Sequence, residues 1–148
     1  MRLTSFYRRR MPVWENRLEI MTTVVAAVIE RDGHVLIGQR KAGKWHALKW
    51  EFPGGKVEPG ETPPAALRRE LDEELDIRAE IGPLITEYEY EYPGRSPIRL
   101  IFYSVPKFEG ELDNRVFEKV RWVKREHLPD YDFLEGDVDF VRVLAGAG

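Results

Sequence analysis

GKVEPGETPPAALRRELDEELDI, residues 55–77, is the stretch on which the fold of this 148-residue chain turns. Thr62 is a good helix N-cap, and Pro63 and Pro64 suit a first turn whose N–H groups have no intrahelical partner. Ala65–Leu75 are mostly strong helix formers, so the stretch predicts one helix of about three to four turns. At roughly 100° per residue, Glu70, Glu73 and Glu74 fall within an arc about 100° wide, beside a second arc holding Leu67, Leu71 and Leu75. The carboxylates share one flank of the helix, next to its leucines.

Carboxylates at i, i+3 and i+4 repel one another by about a few tenths of a kcal/mol per pair on an exposed helix, and by more when partly buried. Two readings account for such crowding. One is a solvated acidic face; the other is a site for a hard divalent cation, which takes carboxylate oxygens together with water and substrate phosphates. Acidic residues at 58, 61, 70, 72, 73, 74 and 76 stand against basic ones at only 56, 68 and 69, more than solubility requires.

Upstream, Thr22–Glu30 is a β-branched, almost continuous apolar run. Arg31-Asp32-Gly33 separates it from a second run, His34–Gln39, and together they predict a hairpin of buried strands. Lys41–Lys49 reads as a basic loop carrying Trp45; it leads into a short strand at Trp50–Phe52 that Pro53-Gly54-Gly55 breaks. Downstream, Ile85–Tyr92 alternates acidic with aromatic residues, Pro93-Gly94 makes a turn, and Ile98–Val105 completes a second hairpin. Val120–Val123 predicts another short strand. Gly136–Leu144 predicts a closing helix with Val138 and Val141 on one side.

Composition bounds the rest. With 43% hydrophobic residues, the length supports one domain with one core, expected at 21–148 behind a basic extension at 1–20. That extension holds five Arg against two Glu, whereas the whole chain carries −3, which argues against nucleic acid as a partner. Nothing resembles a secretory signal or approaches the ~18 apolar residues of a membrane span, so a soluble, cytoplasmic protein is expected. Absence of cysteine excludes disulfides and thiolate chemistry, and His34, His46 and His127 match no zinc-ligand spacing. Any metal must therefore be held chiefly by oxygen.

Counting from Gly55, five residues precede Glu61, seven more precede Arg69-Glu70-Leu71, and Glu73-Glu74 follow after one residue. This resembles the Nudix box, G-x5-E-x7-R-E-U-x-E-E-x-G-U with U apolar, and eight of its nine defined positions match. The departure is Asp76 in place of the glycine that ends the helix. Glu51-Phe52-Pro53-Gly54-Gly55-Lys56 and Tyr88-Glu89-Tyr90-Glu91-Tyr92-Pro93 further resemble the MutT-like branch.

That resemblance implies an α/β (α+β) fold, an α/β/α sandwich with a mixed β-sheet. It also implies magnesium-dependent hydrolysis, with manganese as a possible substitute, of a nucleoside triphosphate, either an oxidised one such as 8-oxo-dGTP or a CTP-like one, to monophosphate and pyrophosphate. By motif position, Glu70, Glu73, Glu74 and the Gly54 carbonyl are implied metal ligands, and Arg69 with Glu61 braces loop to helix. The general base is either a box glutamate or a carboxylate from a later loop, for which Glu118 is the candidate and a metal ligand as well. Arg40 and Lys56 are expected to face phosphates, Tyr92 to stack on a base and Arg95 to touch the nucleotide. Asp137 is either a helix cap or a reader of the base edge.

The implied partner is a small nucleotide, and the chain is expected as monomer or homodimer. Two alternatives stand. Pro93, sixteen positions beyond Ile77, is associated with hydrolases of ADP-ribose or sugar nucleotides, and a noncatalytic Nudix-fold module would bind nucleotide or protein without turnover.

Overall fold

A computed structural model describes residues 21–146, so the basic segment 1–20 lies outside the described residues. The elements in chain order begin with β1 (Thr22–Arg31), β2 (His34–Gln39), β3 (Trp50–Glu51), β4 (Gly54–Lys56) and α1 (Pro63–Leu75). They continue with β5 (Arg78–Glu80), β6 (Leu84–Tyr90), β7 (Ile98–Val105), β8 (Lys107–Glu109) and β9 (Lys119–Lys124). Two 3-10 turns, Arg125–Asp130 and Glu135–Asp137, precede α2 (Val138–Gly146). Among the described residues no helix is long and apolar enough to cross a membrane.

The unbroken apolar run of β1 places it between two layers. Alternate residues Val25, Ala27 and Ile29 pack with Leu67, Leu71 and Leu75 of α1, while Ala26 and Val28 pack with Phe140, Val141 and Leu144 of α2. Burying each such leucine is worth about 1.5–3 kcal/mol, so the leucine arc of α1 settles which flank of the helix turns inward. Helix, mixed sheet, helix is the expected α/β/α sandwich.

The sheet runs β3-β2-β1-β7-β6, with β4 also on β1 and β9 also on β2. β7 runs parallel to β1 from Thr22↔Ile98 to Ile29↔Val105. The other edge of β1 is divided: β2 pairs with it at Glu30 and Arg31, and β4 pairs with it at Val24–Ala26. The chain crosses this division at Phe52-Pro53, where Ala27 N–H donates to the Pro53 carbonyl at 2.8 Å. Glu51 and Gly54 are thereby set on either side of the crossing, directly before the box helix.

Both predicted hairpins form, and the predicted helix spans 63–75. The Gly54-Gly55 pair, read as a strand break, is itself strand β4. Glycine is required at Gly54, where a Cβ would collide with the Val25 carbonyl, while a Cβ on Gly55 would displace the Glu70 carboxylate. The small β5–β8 sheet has no counterpart in the sequence reading, since its three-residue strands show no period. The closing helix begins as a 3-10 turn, and β6 ends at Tyr90, leaving Tyr92 in the following bend.

Candidate active site

The box helix is fixed at both ends. Thr62 Oγ1 accepts from Ala65 N–H at 3.3 Å, and Pro63 and Pro64 occupy the first positions. At the other end Asp76 adopts the left-handed conformation, φ 58°, that glycine would take more easily. Its N–H donates to the Asp72 carbonyl, and its carboxylate pairs with Arg115 at 3.2 Å. Asp113 and Arg115 N–H groups donate to the Leu75 and Glu74 carbonyls, both at 2.9 Å, so the loop before β9 closes the helix terminus.

Arg69 organises the start of the site. Its guanidinium grips Glu61 through two bonds, 2.6 and 2.9 Å, and donates to the Lys56 carbonyl at 3.1 Å. It also reaches Glu70 at 3.2 Å and Glu73 at 3.4 Å. Glu61 accepts the Glu58 N–H as well, and the Arg69 hydrogen bonds above all hold its carboxyl down at about 2. The brace between loop and helix implied by the resemblance is present in this form.

Glu74 is placed differently. It is largely buried, and burial first, then the nearby Glu70 and Glu51, pushes its carboxyl up to about 9. Among the described residues its hydrogen-bond donor is the Gly54 N–H at 3.3 Å, and no cationic side chain pairs with it. Glu70, lying over Gly55, is likewise raised by burial, an effect Arg69 opposes. Glu73 is solvent-facing.

Among the described residues no three His, Asp or Glu side chains are gathered in a geometry that could hold a metal ion. Glu70 and Glu73 accept from Arg69, whereas Glu74 accepts from the Gly54 N–H. The donor set nonetheless fits a hard divalent cation, because the partly buried Glu74 carboxyl, close to Glu70 and Glu51, offers oxygen donors with no cationic side chain paired to it among the described residues.

The second group of residues surrounds Glu51. Arg40 donates to Glu51 at 3.2 Å and to the Trp45 carbonyl at 2.8 Å, so its guanidinium is engaged by protein groups. Asp137 is 6% exposed, and burial first, then Glu51, raises its carboxyl well above the ordinary range. Beside it, Tyr88 donates to the Gly136 carbonyl at 2.6 Å and Gly136 N–H donates to the Tyr92 hydroxyl at 2.9 Å. Tyr92 is 5% exposed, its ring lying against Trp45, His46 and Tyr90, and Arg95 stacks over Trp45 at 4.5 Å.

The structure thus brings Glu70, Glu74, Gly54 and Arg69 together at one place, and Arg40, Glu51 and Asp137 at a neighbouring one. Glu118 is exposed on the loop before β9, its N–H donating to the Gln39 carbonyl at 2.8 Å, and the Lys56 side chain is exposed. Glu51, Trp45, Tyr88 and Arg115 carry no role in the sequence reading; only the position of Glu51 just before Phe52-Pro53-Gly54-Gly55 hinted at one. A hollow of about 700 Å³ between Arg31, Arg78 and Phe108 contains none of these residues.

Comparison with known proteins follows the same lines. The chain is 42% identical over 124 residues to the CTP pyrophosphohydrolase of Escherichia coli K12, covering 84% of this chain and 91% of that one. It is 40% identical over 122 residues to the 8-oxo-dGTP diphosphatase of Haemophilus influenzae, covering 82% and 89%. The solution structure of the E. coli ORF135 protein superposes with a TM-score of 0.76 at 40% identity, covering 85% and 89%. A family model of the NUDIX domain matches residues 20–144, and with Glu70 and Glu74 of α1 set against Gly55 and Gly54, the chain belongs to the Nudix family.

Proposed function

We propose that this Nudix hydrolase cleaves a nucleoside triphosphate to the monophosphate and pyrophosphate, with magnesium as its cation and manganese as a substitute. The observation that carries the reading is Glu74: partly buried, held by the Gly54 N–H, crowded by Glu70 and Glu51, and without a cationic side chain among the described residues. Relatives named for CTP and 8-oxo-dGTP hydrolysis, each covering more than four fifths of the chain, support the same substrate class.

Glu70, Glu73, Glu74, the Gly54 carbonyl and Glu118 are the oxygen ligands in this proposal. When bound, the cation neutralises phosphoryl oxygens and lowers the pKa of a water. A box glutamate or Glu118 takes the proton of the water that attacks phosphorus, as the bridging P–O bond between the α- and β-phosphoryl groups breaks to give monophosphate and pyrophosphate. Arg69, itself held by Glu61, pairs with Glu70 and Glu73 and would release them to the cation. Lys56 and Arg40 meet the phosphates, Arg40 through the guanidinium nitrogen that pairs with Glu51 while its Nε stays on the Trp45 carbonyl. Asp137, Tyr92 and Arg95 belong to the nucleoside end.

A panel of ordinary and oxidised nucleoside triphosphates and ADP-ribose, assayed with magnesium and with chelator and with products identified, tests this. Magnesium-dependent release of monophosphate and pyrophosphate is expected, with CTP and 8-oxo-dGTP among the substrates. Preference for ADP-ribose would replace the triphosphate reading, and binding without turnover of any member would replace hydrolysis by a noncatalytic role.

A further inference from the structure

Tyr92, the aromatic residue that the resemblance assigns to the base, is 5% exposed and hydrogen-bonded through its hydroxyl, whereas Trp45 in front of it is 42% exposed. The open aromatic surface at the nucleoside end therefore belongs to Trp45. The indole stands edge to face with Tyr92 at 4.9 Å between centroids and with His46 at 3.7 Å, and it carries the Arg95 guanidinium at 4.5 Å. Trp45 lies on the loop joining β2 to β3 and Arg95 on the turn joining β6 to β7, so this one contact bridges two connections.

The loop is built to present that side chain. His46 and Leu48 both take left-handed φ, 55° and 64°, which side chains other than glycine adopt at a cost. Arg40 holds the bend: its carbonyl accepts Leu48 N–H, its N–H donates to the Lys49 carbonyl, and its guanidinium donates to the Trp45 carbonyl. The same guanidinium pairs with Glu51, so the position of Trp45 is tied to the acidic group beside Asp137.

Resting on the triphosphate-hydrolase reading, we propose that Trp45 and Arg95 form a clasp at the nucleoside end, in which the substrate base stacks on the indole in place of the Arg95 guanidinium. A base stacked on an aromatic ring is held more strongly than a guanidinium over an exposed indole, so the exchange runs toward the bound nucleotide. Arg40 is the positioning residue, acting through the Trp45 carbonyl. Trp45 and Arg95 then have opposite effects on affinity, since one supplies the stacking surface and the other competes for it.

The test uses the full chain with magnesium. It measures kcat and KM for a nucleoside triphosphate, and tryptophan fluorescence on adding a nucleoside monophosphate or, separately, pyrophosphate. Trp45→Ala raises KM about tenfold with kcat moving less than threefold, and Trp45→Phe raises KM less, because a ring remains. Arg95→Ala lowers KM. Monophosphate quenches the wild-type fluorescence, pyrophosphate does not, and the quenching is lost in Trp45→Phe. Unchanged KM in Trp45→Ala, a raised KM in Arg95→Ala, or quenching that persists in Trp45→Phe would each overturn the clasp. Trp45-dependent quenching without turnover of any triphosphate would support the clasp while overturning the hydrolase reading, so the two fail separately.

Discussion

The carboxylate of Glu70 occupies the space that a side chain on Gly55 would need. A strand residue and a helix residue fifteen positions apart thus share one volume, and the glycine sets how near the first box carboxylate comes to the β4 backbone.

Gly55→Ala should therefore move Glu70. The added methyl meets the far end of the flexible Glu70 side chain, so the carboxylate yields and the stability loss stays within about 1 kcal/mol, felt at the site rather than in the core. Thermal unfolding is expected to show that loss, and turnover is expected to fall at least about tenfold, the scale at which supporting contacts of metal ligands act. Full activity with a lowered melting temperature would show that Glu70 tolerates displacement.

Replacing Glu73 or Glu74 by Gln keeps shape and removes charge. Turnover should drop by about a hundredfold or more while circular dichroism stays native, since ligand losses exceed the effects of supporting residues. Near-normal turnover of both variants would defeat the assignment.

The Glu61 brace has its own pH signature. Its carboxyl is lowered from 4.5 to about 2 by Arg69, so its stabilising contribution is present above the unfolded-state value and is lost as pH falls through the folded one. The melting-temperature gap between wild type and Glu61→Gln should be constant above pH 4.5 and close between there and about pH 2. A gap independent of pH would mean that shape, not charge, holds the loop.

Asp76 offers opposite predictions for two substitutions. Gly removes the left-handed strain, and the exposed Arg115 pair it also removes is worth only ~0–1 kcal/mol, so Asp76→Gly should be neutral to slightly stabilising. Ala keeps the strain and loses the pair, and should destabilise by about 1–2 kcal/mol. Denaturant midpoints of the two variants check the sign.

Asp137 is raised well above 3.8 by burial and then by Glu51, so folding favours its protonated form. Stability from this group is complete below 3.8 and declines as pH rises toward the folded value, and Asp137→Asn should therefore be more stable than wild type at neutral pH. The same variant, which places a fixed NH2 donor where Asp137 has a carboxyl oxygen, should reorder base preference more than it alters maximal rate. Kinetics across the four bases reads this out, and an unaltered order would remove Asp137 from the site.

The local part of this protein was written in its residues. Spacing along 55–77 specifies a helix with leucines on one flank and glutamates on the next, and the apolar run 22–30 specifies a strand buried on both faces, because period and propensity act over a few residues. Meetings between distant segments were not legible. That Gly54 and Gly55 form a strand against β1, that Tyr92 lies covered while Trp45 stands open, and that Arg40 is occupied by Glu51 and Trp45 all depend on which chain segments the fold brings into contact. Burial and Coulomb fields arise only there, so sequence could name the carboxylates while tertiary structure alone decided that Glu74, and not Glu73, is the desolvated one.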